Sequence, residues 1–123
     1  MLVDEETARK LAESLVAAFN DRDEARLHAL FREDVVMRSP VIYQLMGAEG
    51  VLRGREAVAP YLRLVYTQLG HTRFRLQGVY CGAGSFAMRC STVFEKEAVE
   101  FFEVDDKGLI TSWNACFDSL KLP

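Results

Sequence analysis

Little in this sequence points to a partner with a strong electrostatic or covalent signature. Fifteen Lys and Arg stand against 18 Asp and Glu, a net charge of −3. There is no basic excess of the kind that tracks a nucleic-acid backbone. No apolar run approaches the roughly 20 residues a membrane helix needs. The opening Met1-Leu2-Val3-Asp4-Glu5-Glu6 is acidic and lacks the basic-then-apolar order of a signal peptide. The three cysteines, Cys81, Cys90 and Cys116, are dispersed and odd in number. They suit reduced, buried thiols in a cytoplasmic protein rather than a disulfide framework. The only two histidines, His28 and His71, offer no ligand spacing, so neither a metal nor a cofactor is expected. Repeats and low-complexity segments are absent.

What is present is core-forming material. Half of the 123 residues are apolar and 11% are aromatic, enough for one domain over residues 1–123. The order of patterns is the main clue. Residues 4–31 and 55–69 carry helical periodicity, and 71–119 read as successive strands. That order predicts an α+β fold, with helices segregated to one face of a mainly antiparallel sheet. A curved sheet capped by helices leaves a hollow, the default place for a small ligand.

Asp4 is a candidate N-cap for a first helix whose stripe is Leu11, Leu15, Ala18 and Phe19. Asp23 is placed to cap a short second helix with Leu27, Leu30 and Phe31 on its apolar side. Val35-Val36-Met37 predicts a short strand ended by Pro40. Residues 40–54 read as a long, unusually apolar connection, a candidate pocket wall, oligomer contact or core segment. Gly54-Arg55-Glu56 opens a third helix, kinked near Pro60 and capped by Gly70. Strands follow from Thr72, with Ser85–Glu95 as a long one. The next hairpin tip is placed at Lys96-Glu97, then come Ala98–Val104 and Leu109–Asp118.

Alternation puts Phe86, Met88, Cys90, Thr92 and Phe94 on one face of the long strand and Ser85, Ala87, Arg89 and Ser91 on the other. Two readings follow. The apolar face lies under the helices with Arg89 in water, or it points away and is covered by a second subunit.

The element order, Asn20-Asp21-Arg22-Asp23, Phe31-Arg32-Glu33-Asp34-Val35, Ser39-Pro40, Gly54-Arg55-Glu56-Ala57-Val58 and Asp106-Lys107-Gly108-Leu109-Ile110 together resemble the nuclear transport factor 2-like superfamily. The closest look is to its SnoaL-like and limonene-1,2-epoxide-hydrolase-like branches. The resemblance implies a cone-shaped, cystatin-like α+β fold, a pocket between sheet and helices, and frequent dimers. Epoxide hydrolases of this kind carry Arg-x-Asp on the long strand and Trp-x-Asp on the last. Here those motifs read Arg89-Cys90-Ser91 and Trp113-Asn114-Ala115, so both aspartates are missing. The ketosteroid-isomerase aspartate before a proline is Ser39 here, and that family's first-helix tyrosine falls near Leu15. SnoaL-like cyclases use an acid and a histidine in the pocket; here the only histidines, His28 and His71, are expected at surface or boundary positions.

By this resemblance Arg89, Ser91, Trp113, Ala115 and Phe117 face the pocket, and Phe86, Met88, Cys90 and Phe94 form a homodimer face. Counting from the expected tip sets Arg89 near Glu103, with Val99 and Phe101 on the same inner face; a one-residue slip would present Glu100 instead. Arg89, Glu103 and Ser91 are the candidate catalytic residues. Val16, Phe19, Met37, Ser39, Tyr43, Tyr61, Val99, Phe101, Trp113, Ala115 and Phe117 are the candidate ligand contacts. The expected function is isomerisation, dehydration or cyclisation of a small apolar oxygenated molecule. The alternatives are a non-catalytic carrier of such a molecule and a pure dimerisation module.

Overall fold

A computed structural model describes residues 1–70 and 72–121. Asp4 starts α1 (Glu5–Asn20), its carboxylate accepting the Thr7 amide at 2.7 Å. Asp23 does the same for α2 (Glu24–Ala29), accepting from Arg26 at 3.1 Å. These caps satisfy amides that have no partner within their helix. The α1 stripe Ala8, Ala12, Leu15, Ala18 and Phe19 is buried, as its spacing requires.

Phe31 does not continue α2. It opens β1 (Phe31–Arg38), and the chain then turns into α3 (Pro40–Met46) where a loop was expected. The reason lies in Ser39-Pro40. The Ser39 hydroxyl accepts the Val41 amide at 3.1 Å, and Pro40 sits at the helix start, where its missing N–H costs nothing. A tight turn, Ala48–Gly50, returns the chain to the short edge strand β2 (Val51–Arg53). Gly50 has φ of 75° and packs so close that an added Cβ would lie 3.1 Å from the Ser39 carbonyl oxygen. Only glycine closes this segment without strain. After the turn Arg55–Ala57 comes α4 (Val58–Gln68), with Pro60 in its first turn and Gly70 just past its end at φ 65°.

Four longer strands complete the chain: β3 (Arg75–Cys81), β4 (Ser85–Ser91), β5 (Glu97–Val104) and β6 (Ile110–Phe117). They form one six-stranded sheet in the order β2-β1-β6-β5-β4-β3, antiparallel except between β1 and β6. Breaks in register within the β1–β6 and β3–β4 pairs bend it. Helix α1 crosses β3 and β4, α3 packs on α4 and β6, and α2 braces β1. This is the α+β architecture, with the helices on one face of a mainly antiparallel sheet, that the order of patterns predicts. Among the described residues, no helix is long and apolar enough to cross a membrane.

The hairpin between β4 and β5 turns earlier than its sequence suggests. The reversal is centred on Phe94 and Glu95, at φ 52° and 59°. These left-handed conformations normally call for glycine or asparagine. The resulting register sets Arg89 opposite Val99, Met88 opposite Glu100 and Ser85 opposite Glu103. Arg89 and Glu103 are therefore not neighbours.

The sheet faces the opposite way to the subunit-interface reading. Phe86, Met88 and Cys90 lie under the helices, Met88 and Cys90 at 0% exposure. They are core and form no dimer face; Phe94 is exposed, but on the turn. Burying side chains the size of Phe86 and Met88 is worth roughly 1.5–3 kcal/mol each. Burying Arg89 without a partner would instead cost several kcal/mol. Arg89 takes the solvent side, where it donates to the Gln77 side-chain oxygen at 3.1 Å and the Gln77 carbonyl at 3.3 Å.

Candidate functional site

Between the inner sheet face and the helices lies a small cavity. Phe19 from α1, Val41 from α3 and Tyr61, Leu62 and Val65 from α4 form its helical wall. Met37, Glu100, Trp113 and Ala115 form its floor, with Ser39 beside β1 and Phe117 at the end of β6. Phe74, Thr92 and Val93 complete the lining. Phe74 is fixed from outside: Asn20 accepts its amide at 2.8 Å and donates to its carbonyl at 2.9 Å. The free space is about 30 Å³, room for one or two water molecules.

The chemical centre of this cavity is Glu100, which is 2% exposed. It follows Ala98 and precedes Phe102 on the inward face of β5, opposite Met88 on β4 and Ala115 on β6. Its two strongest contacts come from the diagonal neighbours. Trp113 Nε1 donates to Oε1 at 2.6 Å, and Cys90 Sγ donates to Oε2 at 3.1 Å. Burial pushes the Glu100 carboxyl above the ordinary range, while these two donors pull in the other direction. Among the described residues no Lys, Arg or His contributes to its ionisation. Desolvation therefore dominates, and an acid so placed holds its proton to higher pH. Burial likewise raises the Cys90 thiol, with the facing carboxyl adding to the effect, so Cys90 stays an S–H.

Tyr61 stands near Glu100 across the cavity. Burial raises its phenol, the Ser39 side chain acts against that, and Glu100 adds to it. Tyr61 is a neutral hydroxyl donor at any ordinary pH. The site thus combines a carboxylic acid, a phenol and a serine hydroxyl within an apolar shell of Phe19, Met37, Trp113 and Phe117.

Of the residues expected to contact a ligand, Phe19, Met37, Ser39, Tyr61, Trp113, Ala115 and Phe117 line this cavity. Val16 is half-buried on α1 and lies outside the lining. Tyr43 is 63% exposed on α3. Arg89, Ser91, Glu103, Val99 and Phe101 all occupy the outer sheet face, with Phe101 at 50% exposure. The expected catalytic trio is therefore on the wrong side of the sheet. The resemblance aligned Arg89 with Trp113 on one face, but Trp113 pairs with Phe102, and Phe102 pairs with Phe86. Trp113 thus shares its face with Phe86, and Arg89 has the opposite one. Glu100, held only as the outcome of a register slip, takes the inner position. The visible signal for it was an acid in line with Ala98 and Phe102.

Among the described residues no group of three or more His, Cys, Asp or Glu is placed to hold a metal ion. His28 Nε2 lies 3.2 Å from the Arg55 carbonyl, remote from the cavity; His71 lies outside the described residues.

The family model of the SnoaL-like domain matches residues 12–113, and the chain belongs to that family. A SnoaL-like protein of unknown function from Burkholderia thailandensis shares 22% identity and superposes with a TM-score of 0.90, over 97% of this chain and 100% of that one. TerC, co-crystallised with polyporic acid, is 19% identical with a TM-score of 0.77, covering 91% and 92% of the two chains. A Catenulispora acidiphila protein with a ketosteroid isomerase-like fold, in complex with trimethylamine, is 14% identical with a TM-score of 0.73, covering 87% and 84%. No curated protein matches the chain. At these identities the structural likeness establishes the fold alone.

Proposed function

We propose that this chain is an acid–base enzyme acting on a small apolar oxygenated molecule, by isomerisation, dehydration or cyclisation, with Glu100 as the proton carrier. The observation that carries this reading is a buried carboxyl on the floor of an apolar cavity, with no cation against it among the described residues. A group that costs stability and holds a perturbed proton in a cleft is the physical profile of a general acid or base. In its neutral form Glu100 would protonate a substrate oxygen or alkene carbon. In its ionised form it would remove a proton from carbon next to a carbonyl. Tyr61, neutral and within the same cavity, would donate a hydrogen bond to the oxygen where negative charge develops. TerC and the Catenulispora protein, each crystallised with a small organic molecule, support a ligand-accepting pocket in this fold. A substrate larger than water requires the lining side chains to give way, because the free space is about 30 Å³. The three unpaired cysteines are consistent with a cytoplasmic setting.

The test uses a panel of small enolisable and β,γ-unsaturated ketones in heavy water, with deuterium uptake read by mass spectrometry. Wild type should exchange at least one ketone, and Glu100→Gln should lose about 10²–10⁴-fold of that rate. Arg89→Ala should leave it unchanged. If no ketone exchanges faster than with Glu100→Gln, the catalytic reading falls. The second reading, a carrier that binds without reacting, is favoured by the absent aspartates at Ser91 and Ala115. It predicts an intact small molecule released on denaturation in native mass spectrometry.

A second copy of the chain is the proposed occupant of the outer sheet face. There a shallow groove of about 800 Å³ surrounds Phe101 and Tyr80, with Arg38 and Glu103 at its rim. Cations and acids on one patch make it complementary to itself across a two-fold axis. Wild type should sediment as a dimer at micromolar concentration and Phe101→Asp as a monomer. A monomeric wild type overturns this.

A further inference from the structure

The two oxygens of Glu100 are not equivalent, and that asymmetry locates its proton. Oε1 accepts the indole N–H of Trp113 at 2.6 Å. Indole nitrogen only donates, so Oε1 only accepts along that line. Oε2 faces the Cys90 sulfur at 3.1 Å. A thiol both donates and accepts. When Glu100 is ionised, the Cys90 S–H points at Oε2. When Glu100 is neutral, its proton sits on Oε2, and that O–H donates a hydrogen bond to the Cys90 sulfur or into the cavity while the S–H turns aside.

We propose that Cys90 is a positioning residue for Glu100, a hydrogen-bond partner that exchanges donor for acceptor as the acid gains its proton and so confines that proton to Oε2. The sheet builds this in. Cys90 and Trp113 flank Glu100 on the two neighbouring strands, Cys90 one pair toward the hairpin tip, opposite Ala98, and Trp113 one pair the other way, opposite Phe102. Such diagonal neighbours lie within side-chain reach. All three side chains are buried, and the carboxyl cannot rotate without breaking both contacts. Sulfur suits the place because a thiol is a weak donor, tolerated beside Leu76, Met88 and Ala98 in a way that a second charge would not be. Among the described residues the other titratable group facing the carboxyl is Tyr61 on α4, which stays neutral. Among the described residues nothing cationic competes for Oε2.

This role rests on the reading of Glu100 as the proton carrier, and its test is independent of turnover. Glu100 is followed by carbon-13 NMR of the side-chain carboxyl in the ligand-free protein, with Glu100→Gln assigning the signal. The S–H stretch of Cys90 is followed by infrared spectroscopy, with Cys90→Ala assigning that band. In wild type the S–H band should shift at the same midpoint at which the Glu100 carboxyl titrates. Cys90→Ala should raise that midpoint by roughly half a pH unit or more, since the ionised form loses a donor. Cys90→Ser, with a stronger donor in place, should bring it back to or below the wild-type value. A midpoint unmoved in both variants, or an S–H band indifferent to Glu100, would make Cys90 mere packing. Should Cys90→Ala fail to fold, Cys90→Ser and the wild-type band still decide. If the midpoint moves as expected while Glu100→Gln retains deuterium exchange, the catalytic reading fails and the hydrogen-bond role stands. If Glu100→Gln abolishes exchange and the midpoint stays fixed, the reverse holds.

Discussion

Replacing Glu100 by glutamine should make the protein more stable than wild type, and the advantage should grow with pH. The carboxyl is raised by burial in the folded chain and returns to about 4.3 when unfolded. Between those two values the folded state binds the extra proton. The favourable contribution of neutral Glu100 is fully present below the unfolded-state value. It is lost as the pH rises from there through the folded-state value, at up to about 1.4 kcal/mol per pH unit. Glutamine has the shape of the neutral acid, accepts the Trp113 N–H with its carbonyl and never ionises. The difference in unfolding free energy between variant and wild type should therefore be small near pH 4. It should climb through the weakly acid range and level off at the folded-state midpoint. Asp4, Glu24, Asp34 and Asp105 are held below their ordinary range by hydrogen bonds, so what they contribute is present at higher pH and lost on acidification. They are common to both proteins and cancel in the difference. Urea titrations at half-unit pH steps measure it. Parallel curves for the two proteins would mean that Glu100 is ordinary in the folded state, and the acid–base reading would go with it.

The parts of this fold that could be read from sequence are those decided by local chemistry. Asp4 and Asp23 announce their helices because a short side-chain oxygen at that place serves exposed amides. The period of Leu15, Ala18 and Phe19 shows which side of α1 is buried. Ser39-Pro40 carries the same kind of signal with two meanings, since a proline that ends a strand also suits the start of a helix. The β4–β5 turn was illegible for a different reason. Phe94 and Glu95 adopt left-handed backbone without the glycine or asparagine that would mark it. Placing the tip at Lys96-Glu97 displaced every cross-strand partner of Arg89. Alternation correctly grouped Phe86, Met88 and Cys90, and grouped Arg89 with Ser91. It does not say which group the helices cover, because that is settled by packing against residues far away in the chain. The family likeness points to Arg89 through a motif whose aspartates this chain lacks. The structure places Trp113 on the floor of the cavity and a different acid, Glu100 of β5, beside it.

Trp113→Ala should be the most damaging single change in this domain short of a charge in the core. Trp113 is 1% exposed and its ring lies 5.9 Å from that of Phe31, 5.4 Å from Phe102 and 6.4 Å from Phe74. Truncating a buried aromatic of this size costs about 3–5 kcal/mol, a large part of the 5–15 kcal/mol typical of a whole domain. For a chain of this length that corresponds to a fall of roughly 12–20 °C in Tm. The cost has a second source, because Oε1 of Glu100 loses its donor. The two are separable. Trp113→Phe keeps most of the ring and removes the N–H, so its penalty should track the charge on Glu100. It should be modest at acid pH, where the carboxyl is neutral, and should rise as the carboxyl ionises. In a Glu100→Gln background that pH dependence should vanish, while the penalty of Trp113→Ala stays large. A Trp113→Phe penalty that is flat with pH in both backgrounds would show that the indole N–H is idle, and that Trp113 serves the cavity as volume alone.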